Sequence, residues 1–354
     1  MTTAYVNKIA TAVPEHDVHE KFVEFAVGGF DKEKDKLIFR RMVERSHIAH
    51  RWAQMRDMDE FYGGDPNSVG IEPRMKEFEK VAPRLAIDTV NKLDLGDQAA
   101  QITHIVVVTC TGFYTPGLDY DIIHECGLNT SVERTQVAFM GCYAGVNGLK
   151  VAHHIVRSEP DAKVLLVALE LCSLHLQGAK PIDTMLSYLI FSDGCAAALI
   201  TAEETGLAID SFKAVMIPET RNLMTLGIGE ISVQMYLSGQ VPGTLQKALS
   251  DDATVKLILN GAEKAEMDLW AIHPGGRSIL DSVAQALGLG GDELAISRHV
   301  LNNYGNMASA TILFVLEEIM SRNCDGELAG ATGCALGFGP GLAAESMLFR
   351  LAQE

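Results

Sequence analysis

"QVAFMGCYAGVNGLKVA", residues 136–152, decides how the chain is read. An apolar run ends in a glycine and a cysteine, and a helix-forming segment follows. Cys142 therefore stands where a buried strand gives way to a helix. Unpaired amide groups and the helix dipole favour an anion at such a point. A thiolate held there has a lowered pKa and becomes a nucleophile. Gly141 and Gly145 permit close backbone approach. A second reading is a small hydrophobe filling a tight turn, and the local signal leaves both open.

Working outward, strand-like runs lie at 104–110, 135–140, 162–170, 195–201, 268–273 and 333–339. They are rich in β-branched or apolar residues without clear alternation, as in strands covered on both faces. Helical patterns fill 36–46, 75–93, 117–126, 143–157, 244–266, 276–288 and 305–322. The alternation predicts an α/β protein. A coarse echo runs through it. "ITHIVVVTCTG" (102–112) leads to Cys142 and its helix, and "MDLWAIHPGG" (267–276) leads through "HVLNNYGN" to a long helix from Met307. A pseudo-duplicated fold explains the echo, with a seam near residues 205–215.

The 354 residues, 47% of them hydrophobic, suffice for one large domain or two ordinary ones. A net charge of −17 argues against nucleic acid as a partner, because phosphate binding needs a basic surface. The N-terminal residues do not read as a signal peptide, and runs such as "VLLVAL" (164–169) are too short for an integral membrane segment. Cysteines occur at 110, 126, 142, 172, 195, 324 and 334, with no C-x-x-C pair and no zinc-ligand spacing. Free thiols scattered through apolar runs suit a reducing cytoplasm.

Two further residues carry chemistry. His273 ends an apolar strand and precedes Pro274-Gly275-Gly276, so its ring is expected to project from a loop into a cleft. Asn306 precedes a helix rich in small residues. It reads either as an N-cap or as an amide donor to a developing oxyanion.

Cys142 in "GCYAG", His273 in "HPGG", Asn306 in "YGNMASA" and the late "GFGPG" (337–341) occur in an order that resembles the type III polyketide synthases, the chalcone synthase-like family. The resemblance runs from about residue 36 to 347. It implies a thiolase-like fold with duplicated αβαβα layers, in halves 1–205 and 206–354, acting as a homodimer without metal or cofactor. It implies that Cys142 takes a starter acyl group from an acyl-CoA as a thioester. It also implies that His273 and Asn306 bind malonyl-CoA, assist its decarboxylation and stabilise the enolate, whose charge appears only then. His273 is expected to hold Cys142 as thiolate.

The same resemblance supplies cavity residues. Phe191 matches a phenylalanine guarding the junction of CoA tunnel and active cavity, and Met235 falls where a second such phenylalanine stands. The late motif places Gly337, Phe338, Gly339 and Pro340 against substrate. Cys110 and His175 fall at cavity-lining positions, with Cys172 close by, and Cys110 is a candidate second thiol. In "LIFRRMVERSHIAHRW" (37–52), Arg41 and Arg45 lie one turn apart as a clamp for CoA phosphates, with Arg40 and Arg51 nearby. A rival reading is a ketoacyl synthase III-like enzyme that condenses once with a carrier protein, against which "HPGG" and "GFGPG" argue. Another is a catalytically silent acyl-CoA-binding homologue, against which retention of all three polar residues argues.

Overall fold

The computed structural model describes residues 2–56, 61–178, 182–323 and 326–352. Cys324 lies outside them. Nine strands form one mixed sheet: β1 (Ala4–Ala12), β4 (His104–Thr109), β5 (Glu133–Ala138), β6 (Val164–Leu171), β7 (Asp193–Thr201), β8 (Leu207–Met216), β11 (Leu269–Ile272), β12 (Thr332–Gly339) and β13 (Ala343–Leu351). Their order is β11-β12-β13-β8-β1-β7-β6-β4-β5. A separate hairpin pairs β9 (Met224–Ile228) with β10 (Val233–Leu237), and β2 (His16–Asp17) pairs with β3 (Trp52–Ala53).

Every residue of β4 and β6 is buried, which explains runs without alternation. The pleat sends Val106 and Val108 to one side and Ile105 and Val107 to the other. On the outer side, α3 (Ile71–Asn91) packs Phe78, Ala82 and Ala86 against β6 and β7. On the inner side lie α5 (Ala144–Ser158) and α11 (Thr311–Arg322). The same two helices also meet the sheet's other end, through Ala271 of β11 and Ala335 of β12. Beyond that end, α7 (Val241–Leu249) and α9 (Arg277–Leu287) cover Trp270, Ile272 and Leu336. Helix, sheet, two central helices, sheet, helix: five layers result.

Several helical segments differ from the sequence reading. The helix expected over 244–266 is two, α7 and α8 (Asp252–Ile258), because Asp251 caps a fresh start by accepting from the Thr254 N–H. Residues 295–304 are a helix, α10 (Ala295–Tyr304), which ends at Gly305 with φ of 69°. The helix expected from 305 begins only at Thr311, after a short 3-10 turn, because Gly305 and Ala308 (φ of 44°) sit in the left-handed region. The strands β1, β8 and β13 were not anticipated. Among the described residues no helix is long and apolar enough to cross a membrane.

Candidate active site

The strand-to-helix turn before α5 is built by a glycine that no other residue replaces. Gly141 has φ of +81°, and a Cβ there would lie 2.3 Å from Cδ of Pro340. Four residues on, α5 approaches the 3-10 turn before α11 so closely that a Cβ on Gly145 would lie 2.3 Å from the Ser309 carbonyl oxygen. This contact brings Cys142 beside Asn306.

Asn306 is fixed through both backbone and side chain. Its N–H donates to the Ile190 carbonyl at 2.8 Å, and its own carbonyl accepts from the Ser192 N–H at 2.9 Å. Its Oδ1 accepts from the Ala308 N–H at 2.9 Å. That leaves Nδ2 as the free end of the amide, with one long contact of 3.5 Å to the Gly275 carbonyl. The N-cap reading and the donor reading therefore describe two ends of one side chain. The Asn306 side chain lies near enough to Cys142 to favour its thiolate.

His273 follows β11 and is held by its N–H, which donates to the Leu336 carbonyl at 2.8 Å. It is 1% exposed, and neither ring nitrogen has a hydrogen-bond partner among the described residues. Buried polar atoms without partners are rare and point to a function. Cys142, His273 and Asn306 line one small chamber of about 30 Å³, walled by Phe338 and Met224.

The electrostatics differ from the expectation of a resident thiolate. Burial pushes the Cys142 thiol up to about 12, the Glu170 carboxylate adds to this, and the Asn306 side chain opposes it. Burial pushes the His273 imidazole down to about 3. With desolvation dominant for both groups, the pair at rest is thiol and neutral imidazole. Glu170 was missed in the sequence because it sits in an apolar strand run. It is fully buried, and accepts from Ser309 Oγ, Thr111 Oγ1 and the Cys110 N–H.

Phe191 and Met235 stand together between this chamber and a second one of about 40 Å³. Cys110, Cys172 and His175 line the second chamber. The Cys110 sulfur accepts from the Gly141 N–H at 3.2 Å, and burial with Glu170 holds its thiol well up. It thus braces the turn that carries Cys142. His175 Nε2 donates to the Thr111 carbonyl at 2.7 Å, and its Nδ1 accepts from the Val233 N–H at 3.1 Å. Both nitrogens are used, and the ring serves as a wall. Of the late motif, only Phe338 lines the chamber. Gly337 and Gly339 make room for Tyr143, whose ring would lie 2.5 Å from a Cβ at 339, and Pro340 packs on Gly141.

A family model for the N-terminal domain of chalcone and stilbene synthases matches residues 2–204, and one for the C-terminal domain matches residues 208–352. The chain belongs to the chalcone and stilbene synthase family. It is 33% identical to the alpha-pyrone synthesis polyketide synthase-like Pks18 of Mycobacterium tuberculosis, over 100% of this chain and 92% of that protein. It is also 33% identical to bisdemethoxycurcumin synthase of Oryza sativa subsp. japonica, over 98% of this chain and 92% of that one. The crystal structure of PKS-I from the brown alga Ectocarpus siliculosus superimposes with a TM-score of 0.92 at 30% identity, covering 99% of both chains. The chain is thus a type III polyketide synthase with the thiolase-like α/β fold.

In this synthase a larger cavity of about 580 Å³ adjoins the Cys142 chamber, sharing Ile190, Leu237, Gly275 and Ile279 with it. Arg45, on α2 (Glu33–Ser46), lines this cavity with Met42 and Arg277. Arg41 is exposed on the same helix but is not part of the lining. Arg277, unremarked in the sequence, pairs with Asp281 at 3.2 Å and donates to the Arg45 carbonyl. Arg51 does not belong to the basic face: it is 3% exposed and turned inward. Among the described residues no cluster of three or more His, Cys, Asp or Glu could hold a metal ion.

Proposed function

We propose that this synthase loads a starter from an acyl-CoA onto Cys142, extends it by repeated decarboxylative condensation with malonyl-CoA, and releases a cyclised pyrone, resorcinol or phloroglucinol-type product. The reading rests on one observation: Cys142, His273 and Asn306 meet in a single buried chamber. The Cys142 thiol passes its proton to His273 as Sγ attacks the starter thioester. The two charges form as a pair, which offsets the desolvation each would meet alone. The departing CoA thiolate recovers that proton.

Malonyl-CoA then enters by the 580 Å³ cavity, with Arg45 facing its phosphates. Loss of carbon dioxide leaves charge on the thioester oxygen. The Asn306 Nδ2 and a neutral His273 N–H donate to it, being fixed, buried and free of other strong partners. The enolate carbon attacks the Cys142 thioester, the sulfur leaves, and the lengthened chain stays on CoA. Phe191 and Met235 form the passage through which the growing chain reaches the second chamber. The same proposal includes a cytoplasmic homodimer whose chain divides into halves 1–205 and 206–354.

The test is mass spectrometry of products from a panel of acyl-CoA starters with malonyl-CoA and no carrier protein. Extended, cyclised products that vanish with Cys142→Ser support the reading. A strict need for acyl carrier protein, or an unchanged product profile in Cys142→Ser, overturns it.

A further inference from the structure

A third chamber of about 40 Å³ lies behind Phe191 and shares Cys172, Tyr188 and Phe191 with the second. Its walls include Val18, Phe22, Trp52, Ala53 and Leu176, and it contains one charged residue, Arg51. The guanidinium lies 4.2 Å above the Phe22 ring. Its Nη1 donates to the carbonyls of Tyr188 at 2.8 Å and Phe191 at 3.1 Å, and its Nε donates to His19 Nδ1 at 3.2 Å. Its Nη2 is buried and has no partner among the described residues. A buried guanidinium donor that could be satisfied and is not carries a free-energy cost. Here its residue lines a space that shares Cys172, Tyr188 and Phe191 with the second chamber.

The neighbouring charges restrict the class of ligand. Asp17 and Asp193 are the carboxylates that act on Arg51. Asp193 is occupied by the Gln54 N–H and by Ser173, and Asp17 by the Arg51 and His19 N–H groups and by His50. His19 is neutral, pushed to about 4 by burial and by Arg51. One positive and two negative charges leave no surplus for another anion. A neutral acceptor satisfies Nη2 without that repulsion.

We infer that the Arg51 chamber binds a neutral carbonyl oxygen at the far end of an acyl chain attached near Cys142. The oxygen has two sources: a starter that already carries a distal ketone, or the starter's own carbonyl after two extensions, when it stands on the fifth carbon. The second source rests on the proposed function, and the first does not require turnover.

The experiment uses hexanoyl-CoA, 5-oxohexanoyl-CoA and glutaryl-CoA, which differ at the fifth carbon as methylene, ketone and carboxylate. Ala53→Val fills the chamber and leaves every Arg51 hydrogen bond in place. Calorimetry on Cys142→Ala protein reads binding. If the starter supplies the oxygen, 5-oxohexanoyl-CoA binds about tenfold tighter than the other two, and adding Ala53→Val removes the difference. If the growing chain supplies it as well, Ala53→Val in addition shortens the products made from hexanoyl-CoA and malonyl-CoA, because the twice-extended chain carries its ketone on the same fifth carbon. Equal binding of the ketone and the methylene compound overturns the inference, leaving a solvent pocket. Tighter binding of glutaryl-CoA overturns the neutral-acceptor class. A wild-type protein that binds the ketone selectively yet makes no product counts against the role of Cys142 and not against this chamber.

Discussion

Phe191 and Asn306 are joined as a parallel β-bridge, so the residue between the chambers and the amide beside Cys142 share one backbone connection. The bridge uses main-chain atoms alone. The Asn306 side chain can therefore be removed without releasing Phe191. Asn306→Ala is expected to lower malonyl-CoA decarboxylation and condensation together, by about 10²–10³ in kcat. Acylation of Cys142, read by intact-protein mass spectrometry, changes far less. Loss of loading in equal measure would show that the amide serves the nucleophile and not the enolate.

Buried imidazoles give the protein an acid limb with a definite sign. His273 is pushed from 6.5 to about 3, so between those values the unfolded chain holds the extra proton. Stability therefore falls as pH drops through that window. His175, pushed to about 4, acts in the same direction. Asp193, pushed up from 3.8 to about 6 by burial, acts in the other, since the folded chain takes up its proton first. Substituting His273→Gln isolates one contribution. The melting temperature of wild type relative to this variant should decline between pH 7 and pH 4, measured by scanning calorimetry. Parallel curves would exclude a neutral buried imidazole at 273.

At the cavity mouth, position along one helix separates two arginines. Arg45 lines the 580 Å³ space and Arg41 does not. Arg45→Glu is expected to raise the malonyl-CoA KM about tenfold, with kcat little altered. The same reversal at Arg41 has a smaller effect. Raising the salt concentration narrows the gap, because an exposed contact is screened. Steady-state kinetics at two ionic strengths decides the matter. An equal response at both positions would point to long-range charge and not to direct contact.

Much of the site was legible because its residues interrupt apolar runs. Cys142, His273 and Asn306 each sit where a strand ends or a helix begins, and such breaks are visible in one dimension. Glu170 was invisible for the converse reason: it closes the apolar run "VLLVALE" without interrupting it, and Ser309 and Thr111, which satisfy its carboxylate inside the core, are far away in sequence. Arg51 was misread because proximity to Arg45 says nothing of direction. The chain turns at His47, with φ of 56°, and carries Arg51 under the surface. β1, β8 and β13 escaped notice because their polar residues lie among apolar ones, and only pairing such as Val6 with Leu207 makes them strands. At Cys142 the local helix N-terminus is legible in the sequence, whereas burial by remote segments, which pushes the thiol up, is not.

The two central helices touch both sheet ends and each other, and Cys142 and Asn306, the proposed nucleophile and amide donor, sit at their leading ends. The reactive groups therefore ride on the last part of the molecule to melt. Amide protons in α5 and α11 should exchange only through whole-chain opening. Substrates must then gain entry by rotation of side chains such as those of residues 191 and 235. New specificities can accordingly arise by repainting the walls while the machinery behind them stays untouched.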